Sequence, residues 1–244
     1  MHGFLSAVQF LTRIGVPPGE YRIEAAFVWL APVGLLLGGL LAGVDWGLQH
    51  LQITPLLSSA LVVVLWLGLT GGLHADGLMD TCDAVFVHAS PARRLEIMRD
   101  PHAGAFGVIG IACVIALKIA ALDGLPAGIR PHTLILAPGL GRWSIAFVST
   151  VFAYGRPSGL GAPLKAAASR SALARASLLP ALVCVLFWPL GPVLGMLAVA
   201  TAWLLGRWLV TLLPGLTGDC YGAICELVET VVLVGAAPLA HALA

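Results

Sequence analysis

The chain has 244 residues, of which 59% are apolar and only 10% charged, and it carries a net charge of +1. Soluble chains carry about 25% charged residues, so this composition excludes a soluble domain, and its apolar content excludes disorder. Thirteen basic residues against twelve acidic ones leave no basic excess for binding nucleic acid, and five cysteines give no paired disulfide framework.

A mean hydropathy of +0.97 points instead to an all-α, polytopic integral membrane bundle within a lipid bilayer. Residues 2–12 are too short to span, since a crossing needs about 20 apolar residues. They read as an interfacial helix with Phe4, Leu5, Val8 and Leu11 on its apolar face. No basic n-region precedes them, so no cleavable signal is expected.

Seven apolar stretches follow, at 26–44, 55–73, 104–122, 133–152, 177–190, 192–213 and 227–243. The tract over 177–213 is too long for one crossing at about 1.5 Å per residue, and Pro189, Gly191 and Pro192 break it into a hairpin. The expectation is about seven transmembrane helices in a single domain over 1–244. Its motif-bearing loops are expected at 74–103, 153–176 and 214–226. With the N-terminus cytoplasmic, the inner segments hold Arg13, Arg22, Arg93, Arg94, Arg99, Arg156, Lys165, Arg170 and Arg175, and the outer loops only Arg130. The positive-inside rule therefore places all three motif loops on the cytoplasmic side.

The acids are not scattered evenly. Five fall between Asp76 and Asp100, and three more between Asp219 and Glu229. Asp76, Asp80 and Asp83 stand at i, i+4 and i+7, so a helix carries them on one face. Three carboxylates this close repel unless a cation lies between them. Oxygen-only ligands favour Mg²⁺, with diphosphate as a further ligand. The bland alternative is a solvated helix face, weakened by the lack of interleaved Lys or Arg and by the adjoining span.

Further along, Gly104 and Gly107 open a span and would let backbone N–H groups approach a phosphate at a helix N-terminus. Asp219 and Glu226 share a helical face at i and i+7. Arg142 lies near mid-span, where a guanidinium must face the protein interior. Both a phosphate clamp and a pairing with a clustered carboxylate fit that position. Lys118, nearer a span end, reads as snorkelling. His74 reads as a solvent-facing or supporting group beside Asp76.

The chain resembles the cobalamin synthase (adenosylcobinamide-GDP ribazoletransferase) family nearly end to end. The resemblance rests on Phe10-Leu11-Thr12-Arg13-Ile14, Gly72-Leu73-His74-Ala75-Asp76-Gly77-Leu78-Met79-Asp80-Thr81-Cys82-Asp83, and Glu96-Ile97-Met98-Arg99-Asp100 leading to Gly104-Ala105-Phe106-Gly107. It continues through Gly141-Arg142-Trp143, Tyr154-Gly155-Arg156 and Leu216-Thr217-Gly218-Asp219-Cys220-Tyr221-Gly222-Ala223 with Glu226. Two departures stand out: Ala84 where the family usually has Gly, and Arg99-Asp100-Pro101-His102 where it continues Lys-Asp-Ser-Arg.

The resemblance implies a Mg²⁺-dependent transferase in the bacterial inner membrane, acting on adenosylcobinamide-GDP and α-ribazole or its phosphate and releasing GMP. It implies Asp76, Asp80 and Asp83 as metal ligands, with Arg99 and Asp100 joining them in the catalytic set. It further implies His74, Gly104, Gly107, Arg142, Arg156, Asp219 and Glu226 as substrate-binding residues. A homo-oligomer is compatible with the sequence. Rival readings are another Mg²⁺-dependent membrane phosphotransferase or prenyltransferase, and a transporter with an acidic site on its cytoplasmic side.

Overall fold

A computed structural model describes residues 2–243; Met1 and Ala244, the ends of the predicted domain, lie outside the described residues. Among the described residues every named element is helical, and β pairing is limited to one isolated bridge between Tyr154 and Leu216. In a bilayer this is the expected solution, because a helix satisfies its own backbone hydrogen bonds.

The amphipathic first helix, α1 (His2–Leu11), buries Val8 and Leu11 and leads to a short α2 (Ile23–Ala26). A 3₁₀ turn at Phe27–Trp29 continues α2 into α3 (Leu30–His50). Next come α4 (Pro55–Thr70), α5 (Leu73–Val85), α6 (Pro91–Ile97), α7 (Ala105–Asp123) and α8 (Arg130–Val151). The chain closes with α9 (Gly161–Ala167), α10 (Arg170–Leu186), α11 (Leu190–Leu212) and α12 (Gly218–Leu243).

Five of these segments are long and apolar enough to cross a membrane singly: Ile23–His50, α7, α8, α11 and the first 22 residues of α12. Two shorter helices, α4 and α10, each adjoin a helix turned sharply aside, α5 at 91° and α9 at 101°. We read α4 and α10 as crossing segments and α5 and α9 as lying across the end of the bundle. The chain is thus a multi-pass membrane protein, and each predicted apolar stretch falls on one of these helices.

The α4–α5 bend has a local cause. Gly71 and Gly72 have φ of +61° and +69°, a left-handed conformation that costs glycine nothing and other residues considerably more. From this bend α5 crosses α12 at a point where both chains are small. A Cβ on Gly222 would come within 3.2 Å of the His74 backbone, and one on Gly77 within 2.8 Å of the Asp219 carbonyl. That close approach brings the Asp76–Asp83 face beside the start of α12.

Two differences from the sequence expectation follow. The predicted loop at 214–226 is helical from Gly218 onward, because Cys220–Glu226 are buried and need a backbone that pairs with itself. The 74–103 and 153–176 segments likewise contain α5, α6, α9 and the first turns of α10.

Basic residues near this end serve the helix termini. Arg94, buried, donates to the Ala84 and Val85 carbonyls at 2.7 and 2.6 Å and so caps α5. Lys165 donates to the Ser149 and Phe152 carbonyls at 2.9 and 2.7 Å, capping α8. At the opposite end, Arg130 is also buried, binding both oxygens of Asp45 at 2.8 and 2.6 Å.

Candidate active site

Four segments meet at the end where α5 lies: α5 itself, the start of α12, the 98–103 turn and the 154–161 loop. The Tyr154–Leu216 bridge fastens that loop to the base of α12, with the Gly155 N–H donating to the Leu216 carbonyl at 2.8 Å. This places Arg156 against Asp219, whose carboxylate accepts a hydrogen bond from Nη1 at 2.8 Å.

Two recesses open here. The first is a groove of about 210 Å³ whose walls include Asp76, Asp80, Arg99, Asp100 and His102. The second is a cavity of about 120 Å³ bounded by His74, Asp76, Tyr154, Arg156, Asp219 and Tyr221. Asp76 lines both.

The groove holds an excess of negative charge. Asp80, half-buried, is pushed up to about 7, first by burial and then by the carboxylates of Asp76 and Asp219. In contrast, Asp100 is exposed and held below its ordinary value by hydrogen bonds from the backbone and ring of His102, the ring at 2.7 Å. The His102 that departs from the family pattern thus orients Asp100.

Asp83 is engaged elsewhere. Its two oxygens accept the N–H groups of Gly104 and Gly107, each at 2.8 Å, and it caps the start of α7. The glycine N–H groups expected to meet a phosphate therefore meet Asp83 instead. Among the described residues no three His, Cys, Asp or Glu side chains converge as a metal cage would. The donor set nonetheless fits Mg²⁺, which is commonly held by one or two carboxylates together with substrate phosphates; Asp76 and Asp80 are the carboxylates that would hold it.

Deeper in the bundle lies a second charged group. Arg142, wholly buried, is ion-paired with Glu229, so it pairs with a carboxylate outside the Asp76–Asp83 face. Lys118 does not snorkel: its ammonium sits 2.5 Å from both Glu226 and Glu229 and 4.4 Å from the Trp66 ring. Glu226, expected to face substrate, is buried in this network. His74 is buried as well, with Nδ1 3.4 Å from Arg142 Nη2. Glu229 and Lys118 are thus neighbours of the site that sequence position does not reveal, since 108 and 111 positions separate Lys118 from its two carboxylates.

The structure therefore gathers Asp76, Asp80, Arg99, Asp100, Arg156 and Asp219 around the two recesses. It separates from them Asp83, Gly104 and Gly107, and also Arg142 and Glu226. Tyr154 and Tyr221 line the cavity without having been singled out; they lay inside the quoted motifs.

Residues 3–237 match the family model described as cobalamin-5-phosphate synthase. Curated relatives named adenosylcobinamide-GDP ribazoletransferase include one from Synechocystis sp. at 37% identity, covering 94% of this chain and 92% of the relative. One from Roseiflexus sp. is 39% identical over 93% of this chain and 86% of its own length. A third, from Stutzerimonas stutzeri, is 39% identical over 96% of each. No solved structure matches the chain.

Proposed function

Because the chain belongs to the cobalamin-5-phosphate synthase family, we propose that it is an adenosylcobinamide-GDP ribazoletransferase whose chemistry runs in the groove between α5 and the 98–103 turn. The observation that carries this siting is the open carboxylate pair Asp76 and Asp80 facing the Arg99 side of one groove. Phosphoryl transfer needs little covalent help from a protein and mostly positioning and charge stabilisation.

The reaction joins a ribose oxygen of the acceptor to the cobinamide-linked phosphorus. The bond between that phosphorus and the bridging oxygen breaks, and the oxygen leaves with GMP. The hydroxyl proton passes to a carboxylate, for which Asp76 is best placed because it alone among the groove's acids also borders the cavity. Arg99, in the groove wall, offers a fork-shaped donor to phosphoryl oxygens. A Mg²⁺ held by Asp76 and Asp80 would supply charge neutralisation at the diphosphate. The transporter reading has less support, since the carboxylates inside the spans are already paired with Lys118 and Arg142.

The test is to incubate the detergent-purified protein with Mg²⁺, adenosylcobinamide-GDP and α-ribazole and to follow GMP. Absence of GMP release would remove the assignment, and release unaffected by chelation would remove the metal.

The same reading places the protein in the bacterial inner membrane with this end of the bundle in the cytoplasm. Basic residues at that end support it, and Arg130, expected in an outer loop, is buried against Asp45. Ser90→Cys and Ser169→Cys variants should resist an impermeant thiol reagent applied outside intact cells; ready labelling would reverse the orientation.

A further inference from the structure

The cavity of about 120 Å³ adjoins the groove at Asp76 and is equipped to bind something of its own. Its inner wall is apolar, made by Phe10, Ile145 and Leu164. The residues around it also carry buried polar atoms with no hydrogen-bond partner: His74 Nε2, Arg156 Nε and Nη2, and the Tyr154 and Tyr221 hydroxyls. His74 and Tyr221 are only 3% and 2% exposed, so water does not readily serve them, and buried polar groups are normally paired.

These atoms share a character. Arg156 has donors only. Arg142 Nη2 can only donate to His74 Nδ1, 3.4 Å away, which leaves the imidazole proton on Nε2. The Tyr221 hydroxyl can donate as well. A ligand completing this set presents acceptors and a flat apolar body. The volume falls well below the about 300 Å³ at which drug-sized pockets begin, so one ring system enters and a corrin does not.

We propose that this cavity is the acceptor-nucleoside site, holding the benzimidazole base of α-ribazole, while the diphosphate substrate occupies the groove. The assignment rests on the transferase reading and deepens it. A benzimidazole nucleoside suits this lining: its base is flat and free of N–H donors, and its ring nitrogen and ribose oxygens together supply the acceptors. With the base against Phe10, Ile145 and Leu164, the ribose points to the rim, where Asp76 separates the cavity from the groove. The two substrates thus meet at Asp76.

The experiment measures equilibrium binding of two probes, α-ribazole and Mg²⁺-GDP, to the purified full chain. Two variants are compared with the parent. Leu160→Trp fills the mouth from a side chain that is 62% exposed and does not disturb the core; Tyr221→Phe removes one donor and keeps the ring. Both should bind α-ribazole at least about tenfold more weakly, the scale of one lost buried hydrogen bond, and bind Mg²⁺-GDP as the parent does. Unchanged α-ribazole binding in both variants, or loss of Mg²⁺-GDP binding in its place, overturns the assignment. Turnover of the parent separates the two readings. If it releases GMP but the variants bind α-ribazole normally, the cavity assignment alone falls; if it releases none, the transferase reading falls and takes the assignment with it.

Discussion

Two charged groups sit near one another in this bundle and behave in opposite ways. Lys118, Arg142, Glu226 and Glu229 are two cations and two carboxylates, each with a side chain at most 4% exposed, and their charges cancel. They tie α7 and α8 to α12. Asp76 and Asp80 in the groove have no such partners, and burial, followed by the neighbouring carboxylates, pushes Asp80 up to about 7. The same residue types therefore hold helices together in one place and wait for a ligand in the other. What separates them is access: the closed group is satisfied within the protein, and the open one borders a recess.

That contrast can be broken from either side. Glu229→Gln should be the most damaging change to the fold, because it leaves two buried cations facing one carboxylate, a loss of about 3–5 kcal/mol read as a lower melting temperature in detergent. Replacing Arg142 and Glu229 together by Leu should recover most of that loss. A Glu229→Gln protein that melts with the parent would dissolve the distinction. Asp80→Asn should do the reverse. Turnover should fall by about 10²–10⁴-fold, while the melting temperature holds or rises because a repelling charge is gone.

Smaller effects sharpen the comparison. Arg156→Lys keeps a cation beside Asp219 but loses the planar fork, and kcat/KM should fall about tenfold. The acidic groove also predicts a pH effect. The folded chain keeps the Asp80 proton up to about 7, whereas an ordinary aspartate releases it near 3.8. The folded state thus binds the extra proton between those values, and stability falls as pH rises through that window. Mg²⁺ should raise the melting temperature of the ligand-free protein more at about pH 8 than at about pH 5.5, where the proton competes with it. Asp80→Asn should flatten both dependences.

Much of the fold was legible because apolar runs in a membrane chain have few alternatives to helices. The start of α12 was not. The i, i+7 spacing of Asp219 and Glu226 hints at a helix, but polar residues among small ones set the segment down as a motif loop, and only the packing of α5 on it shows that Gly218–Glu226 is buried helix. Lys118 was misread for a related reason: its partners Glu226 and Glu229 are more than 100 positions away, and no local pattern announces them. Asp83 shows the limit of helical spacing. It shares a face with Asp76 and Asp80, yet the N–H groups of Gly104 and Gly107 lie within its reach and hold it. The aspartate run marked where the site is; which carboxylates are free depended on neighbours from other helices.

The sharp turn into α5 has a mechanical meaning. With its first residues held by the Gly71–Gly72 bend and its last by Arg94 and the Asp83–α7 contact, α5 is a crossbar resting on uprights that stand in the lipid. Asp80 rides on the crossbar and Asp219 on one upright, α12. A tilt of α7 relative to α12 would shift α5 against α12 and with it the spacing of those carboxylates, and bilayer thickness, which influences helix tilt, becomes a dimension of the site.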